Sequence, residues 1–162
     1  MANRKPLALI NGEIQELPSK DTLDAAVSEV DVVVRTNDEG ATMPALSPVY
    51  INDSDGVRLA RANNDSTRKV IGLARDEANA AASVTVQVNG IISGTADEWD
   101  AICAESIPSG LTANTDYFLS SATAGLITST APTGSGNWVV KVIRALSATE
   151  AMILDHPGVK LS

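Results

Sequence analysis

The chain has 162 residues, of which 44% are hydrophobic, 20% charged and only 3% aromatic, and its formal net charge is −8. That length suits one domain, or one domain with an arm, and allows a real core, which has to be built from Val, Ile, Leu and Ala. The acid excess and the scatter of the 12 basic residues argue against sequence-independent nucleic-acid binding, which needs a clustered Lys/Arg face. Arg58, Arg61, Lys69 and Arg75 come nearest to such a cluster. No apolar run approaches the roughly 20 residues of a membrane span. The single cysteine, Cys103, excludes an intramolecular disulfide and a thiolate metal cluster.

The basic opening is followed by an apolar run too short for a signal peptide and without a small-residue cleavage site, so synthesis and retention in a cytosol-like compartment are expected. Pro6–Ile10 and Glu13–Leu17 flank Asn11-Gly12, a strong signature of a two-residue hairpin turn. A lone hairpin is marginal in water. This one has to lie on its own domain, on a sister subunit or on a partner. Pro18 to Asp21 breaks the pattern, and Thr22–Val27 has room for one helical turn.

Val30–Arg35 reads as a β-branched strand and Thr36–Gly40 as a polar turn. Further strands are expected at Pro48–Ile51, Val57–Ala62, Lys69–Ala74 and Val84–Val88. Asn89-Gly90 reads as a second hairpin turn into Ile91–Ser93. Later strands fall at Tyr117–Leu119, Leu126–Thr128, Trp138–Ile143 and Ala151–Leu154. Arg75–Ala82 has helix formers but no apolar stripe and reads as a loop. In Ala96–Ala104 the spacing of Trp99, Ile102 and Cys103 predicts a short amphipathic helix. The expected fold is all-β: a compact β-barrel or sandwich (residues 41–162) with an N-terminal arm, hairpin plus strand, in residues 1–40, and one short helix.

Groups able to do chemistry are sparse. Ile51–Gly56 resembles a calcium loop, but Ile51 and Ala62 stand at the first and last ligand positions, so a polar turn is expected instead. His156 is the only histidine, and no nucleophile-elbow pattern accompanies it. Cys103, beside Trp99 and Ile102, reads as a buried structural thiol. The acidic pairs Asp38-Glu39, Asp76-Glu77 and Asp97-Glu98 read as solvated turn residues. Gly134-Ser135-Gly136 lacks the Lys and the helix of a phosphate loop. Asn52-Asp53-Ser54 and Asn64-Asp65-Ser66 match the glycosylation sequon but have no secretory signal to give them meaning. No enzyme, cofactor or metal is expected. Between Gly110 and Ser147 the only charges are Asp116, Lys141 and Arg144. So long an inert β stretch points to a protein whose product is a surface.

The opening KPLALINGEIQELPSKDTLDA resembles a segment at the start of many tailed-bacteriophage virion proteins. The body is similar to small phage head-decoration and head-fibre modules through Val70–Ala74, Val86–Gly90 with Ser93-Gly94, Trp99, Gly110–Thr112, Tyr117–Ser120, Gly125–Thr128, Ala131-Pro132 and Val142–Ser147. This resemblance implies a virion structural protein made in the host cytoplasm. Its place would be the outer surface of the capsid, as a homotrimeric cement whose partners are itself and the major capsid protein, with no catalytic residue. The hairpin would supply the capsid or subunit interface through Pro6, Leu7, Leu9, Ile10, Ile14, Leu17 and Pro18. Lacking a long repetitive shaft, the chain resembles a cement protein more than a tail-fibre or tail-tip module that binds a receptor or glycan. The latter would need exposed aromatic platforms, and few of Trp99, Trp138, Tyr50, Tyr117 and Phe118 can be spared from a core.

Overall fold

The computed structural model describes Leu7–Ile10, Glu13–Glu16, 31–105 and 109–162. The expected helical turn at Thr22–Val27 lies outside these residues. Strands β1 (Leu7–Ile10) and β2 (Glu13–Glu16) pair antiparallel with Leu9 opposite Ile14 and Leu7 opposite Glu16, leaving the two-residue connection that Asn11-Gly12 predicts. Among the described residues they pair only with each other.

The body contains β3 (Val32–Thr36), β4 (Pro48–Ile51), β5 (Val57–Leu59), β6 (Gly72–Ala74), β7 (Ser83–Gln87), β8 (Ile91–Ser93), helix α1 (Ala96–Ile102), β9 (Asp116–Leu119), β10 (Ile127–Thr128), β11 (Trp138–Val139), β12 (Lys141–Ala145), β13 (Glu150–Ile153) and β14 (Val159–Lys160). They form two five-stranded antiparallel sheets, ordered β3-β7-β6-β4-β5 and β10-β9-β12-β13-β8, and a small β11-β14 pair. The fold is all-β with one short helix. No sheet closes into a barrel among the described residues, although a single parallel bridge from Asn37 to Val57 brings the two edges of the first sheet together at one end.

One core joins the sheets. Leu46, Ala60 and Leu73 from the first pack with Ile92, Tyr117, Leu119, Ile127, Val142, Ile143 and Ala151 from the second, and α1 adds Trp99 and Ile102. A smaller core of Met43, Val49, Val57, Ala74, Ala78, Val84 and Val86 lies on the opposite face of the first sheet. Alternation along β6 divides Leu73 and Ala74 between the two. Helix α1 forms where the sequence placed it. A capping box starts it: the Thr95 hydroxyl accepts from Glu98 N–H, and the Glu98 carboxylate accepts from Thr95 N–H. The Trp99 indole N–H donates to the Thr149 carbonyl at 3.1 Å, which satisfies the one polar atom of a fully buried ring.

Several expectations are corrected. The strand grouped with the arm is part of the body: β3 pairs with β7 over five residues, from Val32↔Gln87 to Thr36↔Ser83. Asn89-Gly90 is not a hairpin turn, because both edges of β7 are already taken by β3 and β6. The chain instead crosses to the second sheet there, with Gly90 at φ +78. The strand from Val57 stops at Leu59. Ala60 and Ala62 bond outward to the second sheet's loops, through Gly125 N–H to Ala60 O, Ala62 N–H to Ser120 O, and Trp138 N–H to Ala62 O. The strand expected from Lys69 starts at Gly72. The Trp138–Ile143 run breaks at buried Val140 into β11 and β12, with a register shift between Lys141 and Ile143. The short β14 carried no apolar signal and was not expected.

A Cβ on Gly72 would run into the Gln87 backbone carbonyl of β7. Gly72→Ala is therefore expected to lower the unfolding free energy by about 1–3 kcal/mol through forced backbone shifts, measured by denaturant melts against the wild type.

Candidate functional site

The hairpin residues singled out in the sequence fall partly on described strands: Leu7, Leu9 and Ile10 on β1 and Ile14 on β2. Pro6, Leu17 and Pro18 lie outside the described residues.

In the body, the calcium-like run is the turn between β4 and β5. The Asn52 side-chain oxygen accepts from Ser54 N–H and Gly56 N–H at 3.1 and 3.0 Å, a side-chain-built turn. Its amide donates to the Asp38 carboxylate at 2.8 Å, and Glu39 accepts from Leu59 N–H at 3.0 Å. Asp38 and Glu39, expected to be solvated, are half-buried and tie the 37–40 turn to β5. Asn37 anchors the same turn: fully buried, it donates to the carbonyls of Ala41, Ala78 and Asn79. Beside the β4–β5 turn, Tyr50, Asn52, Asp53, Ser54, Arg58, Ser66 and Lys69 line an open cleft of about 430 Å³. Tyr50 and Arg58 face each other across the strands.

Asp76, Glu77, Asp97 and Glu98 line a second cleft of about 310 Å³. Among the described residues no three His, Cys, Asp or Glu side chains come close enough to hold a metal ion. His156 is exposed, and its Nδ1 accepts from Gly158 N–H.

Two clusters had no sequence signal, because their members lie far apart in the chain. Arg68 stacks on the Trp138 ring at 3.5 Å, bonds the Asp65 carboxylate through Nε and Nη2, and donates Nη1 to the Pro157 carbonyl. It thereby fastens the chain leading into β14. On the second sheet, Asp116 accepts Arg144 Nε at 2.6 Å, Arg144 Nη2 at 3.1 Å and Lys141 Nζ at 2.7 Å, so the three charges of Gly110–Ser147 meet. No protein-family model matches this chain, and a comparison with curated proteins finds no match.

These geometries give two tests. The Arg144 guanidinium, aided by Lys141, holds the Asp116 carboxyl well below its ordinary 3.8. A depressed folded-state pKa stabilises above the unfolded value and loses that contribution as pH falls through it. Asp116→Asn is expected to cost about 1–2 kcal/mol at pH 7, and its deficit against the wild type should shrink steadily below pH ~4, followed by chemical melts across pH. Cys103 is buried, and its thiol is pushed up to about 12, first by desolvation and then by Glu105 and Asp100. Thiol reagents at pH 8 should leave the native protein unlabelled and modify it fully once unfolded.

Proposed function

We propose that this chain is a structural protein of a tailed-phage virion: a compact decoration protein that sits as a homotrimer on the outer surface of the head and clamps neighbouring major-capsid subunits. The observation that carries this reading is a two-sheet body with its own core beside an N-terminal hairpin that, among the described residues, pairs only with itself. That is the layout of a cap with an arm, and an arm of two short strands gains stability by lying on something else. The segments that resemble decoration modules fall on core strands and corners. Val86–Gly90 ends β7 and turns the corner, Tyr117–Ser120 covers most of β9, and Val142–Ser147 covers most of β12.

The mechanism is mechanical. A shell under pressure from packaged DNA fails when its subunits separate. A ligand bound across them at 100 times its dissociation constant adds about 2.7 kcal/mol per site that must be lost first. Three linked sites act together where geometry lets all engage.

A second reading, a tail-tip module that binds a receptor or glycan, is favoured by one feature, the cleft holding half-buried Tyr50 with Arg58, Lys69 and two serines. Negative-stain imaging of virions with labelled antibody separates the two. Label over the head is expected, and label confined to the tail tip would overturn the decoration reading in favour of the second. A chain lacking residues 1–20 is expected to decorate purified empty shells poorly. Full occupancy would remove the arm from the mechanism.

A further inference from the structure

The two five-stranded sheets have four outer edges, and those of β5 and β10 are met by backbone of this chain. The outer edge of β5 is met by the 37–39 turn through Asp38 N–H to Val57 O. That of β10 is met by Ala104 N–H to Ile127 O. At β8 the Gln87 amide occupies one outward carbonyl, donating to Ile91 O at 2.9 Å. The edge of β3 is met only at its C-terminal end, where Asn37 bridges Val57, and over Val32–Val34 it has no backbone partner among the described residues.

Its polarity follows from its one ladder. Asp31 O accepts from Val88 N–H and Asn37 N–H donates to Ala82 O, so odd-numbered residues bond toward β7. Val32, Val34 and Thr36 therefore turn N–H and C=O outward. The side chains of Val32 and Val34 are 43% and 58% exposed. An edge that begins with three valines and keeps open hydrogen-bonding groups at Val32 and Val34 is a template for another strand. Arg35, in the same strand, is poorly matched. Its Nε is buried without a hydrogen-bond partner, 3.5 Å from Asp55, and its Nη1 reaches only the outward carbonyl of Val34.

We propose that the free edge of β3 is completed by β2 of a second copy of this chain. The lengths fit, since the four residues of β2 are enough to cover the stretch of β3 ahead of the Asn37 bridge. The charges fit, because β2 carries Glu13 and Glu16, and a carboxylate beside Arg35 would release the Val34 carbonyl to the new ladder. The 15 residues 17–31 span up to roughly 50 Å when extended, enough to reach a neighbour. Among the described residues of a single copy, β1–β2 has no further strand partner and the β3 edge has none ahead of Asn37. The inference rests on the homotrimeric part of the proposed function and names its contact.

The test needs no shell. Val34→Pro deletes an outward N–H that the β7 ladder does not use, and proline is tolerated at such edge positions. The wild type is expected to sediment as an oligomer at micromolar concentration. Val34→Pro should sediment at one chain's mass with its circular dichroism unchanged. Arg35→Glu should likewise dissociate the oligomer, and adding Glu13→Arg and Glu16→Arg should restore it, which keeps the test open if the proline variant misfolds. A monomeric wild type, or an undiminished oligomer in Val34→Pro and Arg35→Glu, would overturn the inference. So would a monomer whose Val34 amide loses hydrogen-exchange protection when residues 1–18 are deleted, since the hairpin would then be closing on its own β3. Loss of the oligomer without any head binding would overturn the decoration reading and leave this contact standing.

Discussion

Gln87 is a buried amide at the junction of two sheets, and its Nε2 donates to the carbonyls of both Asn89 and Ile91 at 2.9 Å. A polar group there is tolerated because it is satisfied on the spot. Those two bonds fix the corner by which the chain leaves β7 and starts β8 in the other sheet. The corner in turn sets β8 beside β13 and so places Ile92 in the shared core with Trp99 and Tyr117. Had β7 and β8 formed a simple hairpin, the first sheet would have gained a strand and lost its second layer.

The body compensates for its scarcity of aromatics by close approach. The fully buried large residues are chiefly aliphatic around one indole and one phenol ring, and backbone comes near backbone at Gly72. Charge contributes little to cohesion. Most described ion pairs have an exposed partner, a setting in which pairs are worth a fraction of a kcal/mol. The fork at Asp116 differs in that one carboxylate, only 18% exposed, is held by two cations, which are themselves 37% and 46% exposed.

Local features were legible in the sequence where one short segment carries the whole signal. The apolar spacing of Trp99, Ile102 and Cys103 gave the helix, Asn11-Gly12 the hairpin, and the β-branched runs most strands. The errors arose where pairing decides. Asn89-Gly90 has hairpin chemistry, but nothing local reveals that both edges of β7 are filled from elsewhere. Val30–Arg35 reads as a strand with no hint that its partner lies some fifty residues on. The Arg68–Trp138–Pro157 contact and the Asp116 fork join residues 25 to 89 positions apart, beyond any periodicity. Asp38 and Glu39 read as solvated because their partners, Asn52 and Leu59, reach them only in the folded sheet.

The pairing of Val32 with Gln87 also sets a timetable for synthesis. At roughly 5–20 residues per second, the ribosome has made β3 several seconds before β7 exists. For that interval Val32-Val33-Val34 is a nascent apolar segment without its native neighbour, and pairings this distant in sequence form slowly in any case. Glu29, Asp31 and Arg35 bracket it, the position in which charges discourage premature association with other chains. The same three valines that complete the first sheet thus wait for their partner strand in reach of other chains.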